Sequence, residues 1–118
     1  MAGIRAITVI LDEPSAAARS LHDIFGWVVD GDFGTFASLA LPTGIPLWIN
    51  APAPGEATAS GVVIHLHVDD VDAAFRGAVE RGALVQREPA DQDYGDRSAW
   101  VTSAATPGVV FDLSRPSG

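Results

Sequence analysis

Apolar and polar positions alternate most cleanly in Val62–Asp70, VVIHLHVDD. Period-two alternation predicts a strand, with Val62, Ile64, Leu66 and Val68 on a core face and Val63, His65 and His67 on the other. Asp69 and Asp70 end it, and either can cap a helix starting at Val71, whose inner stripe is Val71, Ala74, Phe75 and Ala78 and which stops before Gly82. Strands are predicted at Ala83–Arg87, Arg97–Ser103 and Val109–Ser114. The first half reads the same way. Ile4–Leu11 alternates as a strand, and Pro14 suits a first helical turn. Ala17, Ala18, Leu21, Ile24 and Phe25 form an apolar stripe, and Gly26 stands where a left-handed cap belongs. Three strands follow at Trp27–Asp30, Thr35–Leu41 and Ile45–Asn50, with turns at Gly31–Gly34 and Pro42–Gly44.

The two halves are one pattern written twice. Asp12 and Asp69 are 57 residues apart, and Gly26 and Gly82 are 56 apart. An internal repeat constrains a fold more than any single motif does. The expectation is an α+β fold in one domain, residues 1–118. It has a βαβββ module over about 4–51, a Pro/Ala/Gly-rich linker over about 52–60 and a second βαβββ module over about 61–115. Their eight strands are expected to form a cup-shaped, incompletely closed sheet with the helices outside.

Composition narrows the chemistry. At 47% hydrophobic and 19% charged residues the chain is that of a compact globular protein. A net charge of −8 disfavours nucleic acid and anionic membrane surfaces as partners. Cysteine is absent, and all seven basic residues are Arg. Thiolate nucleophiles, Cys-ligated metals, Schiff-base chemistry and a phosphate-binding P-loop lysine are thereby excluded. The N-terminus has no apolar run of signal-peptide length, and no stretch approaches the roughly 20 residues of a membrane span, so a cytoplasmic location is expected.

The doubled βαβββ order, the run HVDDVDAAF, the YGDR of Tyr94–Arg97 and the Pro107-Gly108 turn resemble the vicinal oxygen chelate superfamily: glyoxalases, bleomycin resistance proteins and extradiol dioxygenases. The resemblance covers essentially the whole chain and implies a glyoxalase/bleomycin resistance-like fold and a homodimer. In the metal-dependent members four ligands come from the first and last strand of each module. Carried over, these positions are Ala6, Trp48, Val63 and Asp112, of which only Asp112 is a donor. One carboxylate does not repay the dehydration of a divalent ion, so neither metal nor other cofactor is expected.

The predicted inner faces offer Thr8, Trp48, Asn50, Val63, His65, His67, Trp100 and Asp112 to a ligand, an apolar and aromatic surface with a few polar groups. The leading expectation is metal-independent binding of a hydrophobic or aromatic small molecule, of the antibiotic-sequestration type. An alternative is a metal-independent isomerase, cyclase or lyase in which His65 or His67 is general acid or base and Asp112 orients it. A lower alternative is a relocated metal site. His65 and His67, with Cα atoms about 6.6 Å apart, would join Asp112 in it. The plain structural reading, imidazoles satisfied by neighbouring strands, stands beside these. No role is assigned to His22, and Arg97 reads as a surface residue, with the anchoring of an anionic ligand as the lesser alternative.

Overall fold

The computed structural model describes residues 1–117, which divide into two compact units meeting between Ala59 and Ser60. In the first unit the elements are β1 (Ile7–Ile10), α1 (Pro14–Phe25), β2 (Val28–Asp32), β3 (Phe36–Ala40) and β4 (Pro46–Asn50). They form a four-stranded mixed sheet in the order β1-β4-β3-β2, with β1 parallel to β4 and the other pairs antiparallel. Helix α1 begins with Pro14 and ends at Gly26, whose φ of 74° is the left-handed cap expected there. Its stripe of Pro14, Ala17, Ala18, Leu21 and Ile24 is buried, as are Val9, Ala37, Leu39, Leu47 and Ile49 of the sheet. That apolar layer supplies most of the unit's stability.

The second unit repeats the plan with β5 (Val62–His67), α2 (Val71–Glu80), β6 (Leu84–Asp91), β7 (Asp96–Thr102) and β8 (Val109–Pro116). The strand order is β5-β8-β7-β6, again with one parallel pair, β5 and β8. Of the two candidate aspartates it is Asp70 that caps α2, accepting the Ala73 N–H at 3.0 Å. Val71 and Ala78 of α2 are buried, with Ala99, Val101, Val109, Phe111 and Leu113 forming the matching sheet face. Among the described residues no helix is long and apolar enough to cross a membrane.

The element order agrees with the sequence reading; several boundaries do not, as β1 begins at Ile7 rather than Ile4 and β8 runs on to Pro116. Strand β2 runs through Gly31 and Asp32, which the sequence assigns to a turn, because a bulge between Val29 and Gly31 lets pairing to β3 continue. Strand β6 extends to Asp91 rather than stopping at Arg87. It lies at the sheet edge, where Pro89 and two register breaks are tolerated.

Polar ties hold the exposed side of each unit. Ser15 Oγ donates to Asp32 Oδ1 at 2.6 Å and the Gly34 N–H donates to the same oxygen at 3.1 Å. His22, on the exposed side of α1, bonds through Nδ1 to the Trp27 carbonyl at 2.8 Å. Arg97 is more than a surface residue: Nε and Nη2 each lie 2.8 Å from the Asp72 carboxylate, and Nη1 lies 3.2 Å from Asp91. This fork joins α2 to β6 and β7. Hydrogen bonds from Arg97 hold the Asp72 carboxyl below its ordinary range. A depressed folded-state value stabilises above the unfolded pKa and is lost as pH falls through the folded one. Arg97→Gln is therefore expected to lower the urea midpoint near neutral pH, by an amount that shrinks below about pH 4. An equal deficit at both pH values would show that the ion pair is not its source.

Candidate functional site

The ladders of the second sheet line up four chemically distinct residues across all its strands. His65 of β5 lies opposite Asp112 of β8, Asp112 opposite Trp100 of β7, and Trp100 opposite Arg87 of β6. Because side chains alternate, this row faces away from α2, whose side takes Val101, Phe111 and Leu113. Neighbouring rows on the same face carry Val63 with Val110 and His67 with Ser114.

Asp112 is a carboxylate only 4% exposed, which is costly unless its oxygens are paired. They are. Ser98, itself 3% exposed, donates its hydroxyl to Oδ1 at 2.5 Å, and His65 Nδ1 lies 2.6 Å from Oδ2. A carboxylate only accepts, so His65 donates from Nδ1, and Nε2 lies on the side of the ring away from the aspartate. The His65 side chain is 68% exposed. His67 stands two residues further on the same face, where its Nε2 is 3.6 Å from Asp69, a loose surface pair.

A cavity of about 380 Å³ meets this row at Trp100; His65, Asp112 and Arg87 are not among its lining residues. Val63, Val110, Thr102 and Trp100 line its sheet wall, Gln86 contributes from the edge strand, and Ser103, Ala104, Pro107 and Gly108 close one side. The closing loop is fixed from within. The Ala105 N–H donates to Ser103 Oγ at 3.1 Å, the Val109 N–H to the Thr106 carbonyl at 3.1 Å, and Thr102 Oγ1 to the Val109 carbonyl at 2.7 Å. The wall is therefore built before any ligand arrives.

The remaining sequence-predicted residues belong to the first unit. Thr8 pairs with Trp48 across the β1–β4 ladder, and Asn50 pairs with Ile10. Trp48 packs edge-on to Phe36, with ring centroids 6.1 Å apart, and Arg5 lies 5.9 Å from its ring. The Asn50 Oδ1 is buried without a hydrogen-bond partner.

The superfamily's four-ligand metal centre does not fit this donor set. Of the four positions the resemblance carries over, Ala6, Trp48 and Val63 offer no donor, and both Asp112 oxygens are engaged by Ser98 and His65, so too few donors remain. The relocated triad is not assembled either, since His67 pairs with Asp69. Among the described residues no three His, Asp or Glu are grouped to hold a metal.

Gln86 and Arg87 carried no role in the sequence reading. Alternation puts Ser98 on the inner face of its strand with Trp100 and Thr102, but its bond to a residue 14 positions away was not legible.

No family model and no curated protein matches the sequence. Solved structures do. A "conserved domain protein" is 25% identical over 98% of this chain and 100% of its own, with a TM-score of 0.81. A glyoxalase/bleomycin resistance protein/dioxygenase from Nocardioides is 14% identical over 100% of this chain and 89% of its own, also at 0.81. A glyoxalase/bleomycin resistance protein/dioxygenase family enzyme from Burkholderia phytofirmans PsJN is 16% identical over 96% and 98%, at 0.79. The chain thus has the fold of the glyoxalase/bleomycin resistance protein/dioxygenase superfamily, in agreement with the vicinal oxygen chelate resemblance of its sequence.

Proposed function

We propose that this protein binds a small, flat, largely apolar molecule in the cavity beside Trp100, independently of the superfamily's four-ligand metal centre. The observation that carries this reading is the preformed cavity of about 380 Å³, walled by Trp100, Val63 and Val110 with few polar groups. That volume is near the lower end of the roughly 300–1,000 Å³ usual for small-molecule sites, and suits a molecule of one or two fused rings. Sequestration of an aromatic compound, as in antibiotic-binding proteins, is the function this geometry serves most simply. A thermal-shift panel of bicyclic aromatics tests it: occupancy raises Tm by mass action, and a panel that leaves Tm unmoved sinks the proposal. A homodimer accompanies this reading, and native mass spectrometry of the purified protein checks it.

A second reading is favoured by the 2.6 Å bond between His65 and Asp112. An imidazole whose tautomer is fixed by a buried carboxylate, with its other nitrogen open, is arranged as a general base. Nε2 of His65 would remove an acidic C–H proton from a ligand reaching from Trp100 to the imidazole, and then return it to another carbon, as an isomerase does, or let the freed electron pair expel a leaving group, as a lyase does. Incorporation of deuterium from D2O into 2-tetralone, a bicyclic ketone with an acidic C–H, is the direct readout. Exchange no faster than in buffer rules this role out for that ligand class.

A further inference from the structure

Arg87 is a cation next to the cavity wall that has no carboxylate partner among the described residues. Arg97 is held by Asp72 and Asp91, and Arg115 donates to the Asp69 carbonyl. No carboxylate lies within ion-pair distance of Arg87 among the described residues, although the chain carries fifteen Asp and Glu. Its guanidinium instead sits 3.7 Å from the centroid of the Trp100 ring. A guanidinium stacks through its flat face, so its N–H donors, which radiate in the plane, stay free for an acceptor at the rim. Trp100, beneath the guanidinium, and Gln86, the residue before Arg87, both line the cavity. The register break between Val85 and Arg87 sets Gln86 and Arg87 together opposite the Trp100–Val101 step of β7.

We infer that the ligand is an organic monoanion: a flat apolar body bearing one carboxylate, with the body against Trp100, Val63 and Val110 and the carboxylate at the edge of the Arg87 guanidinium. This rests on the cavity reading above and adds the charge of the ligand to it. A chain of net charge −8 repels anions at long range, so selection for one has to come from a local, prepaired cation.

Calorimetry with 2-naphthoate and its neutral isostere 2-naphthamide, on the intact protein and on Arg87→Gln, tests the inference. The acid is expected to bind at least about tenfold more tightly than the amide, the equivalent of one charge-assisted hydrogen bond. Arg87→Gln is expected to abolish the preference for the acid over the amide, and an unaltered far-ultraviolet circular dichroism spectrum shows that the variant is folded. Equal affinity for acid and amide, or a preference that survives Arg87→Gln, overturns the inference and leaves the cavity reading standing. Binding of neither compound overturns both.

Discussion

Trp100→Ala is expected to weaken the binding of 2-naphthoate at least about thirtyfold, the loss typical of a central aromatic anchor. Trp100 is the largest apolar side chain on the cavity wall, and it also carries the Arg87 guanidinium at 3.7 Å. Removing the ring deletes the flat surface for the ligand and releases the cation that would meet its charge. Trp100→Phe keeps a smaller stacking surface and is expected to fall between the two. Titration calorimetry reads all three proteins. Affinity unchanged in Trp100→Ala would mean that the ligand lodges elsewhere.

Asp112→Asn separates what the buried carboxylate does for folding from what it does for His65. An amide can still face Ser98, but an NH2 placed opposite Nδ1 forces that nitrogen to become the acceptor and moves the imidazole proton to Nε2. Exchange of the acidic C–H of 2-tetralone should then fall by about 10²–10⁴, the usual contribution of a positioned base. Asp112→Ala is expected to cost about 1–3 kcal/mol of stability as well, since it strands the Ser98 hydroxyl in a buried position. Nitrogen chemical shifts of His65 report the tautomer, and urea unfolding reports the stability. If exchange in the unmodified protein exceeds that in buffer and Asp112→Asn leaves it unchanged, the His65 role is removed.

Much of this was legible in the chain itself, for reasons that can be stated residue by residue. Period-two alternation sorts residues onto faces, so Val63, His65, Trp100 and Asp112 were read on the side of the sheet where they lie. The Asp70 cap and the Gly26 stop follow from local chemistry and needed no tertiary information. What alternation cannot give is the row. A slip of two residues preserves every face, so the pairing of Thr8 with Trp48 and of His65 with Asp112 is visible only in the ladders. The Ser98–Asp112–His65 network joins three strands through exactly that register, spanning 47 positions between its histidine and its aspartate. Arg87 was illegible for a different reason. Its place over Trp100 depends on register breaks in an edge strand, and breaks of this kind leave no trace in the pattern of apolar residues.

The central claim is that a flat ligand occupies the cavity against Trp100. The chain has three tryptophans, Trp27, Trp48 and Trp100, so a ¹H–¹⁵N spectrum should resolve three indole N–H signals for titration with 2-naphthoate. The account predicts that the Trp100 indole shifts, together with the backbone amides of Val63, Thr102, Gly108 and Val110. A Trp100 indole that stays in place while Trp48 or Trp27 moves, or a spectrum that does not change at all, would contradict it.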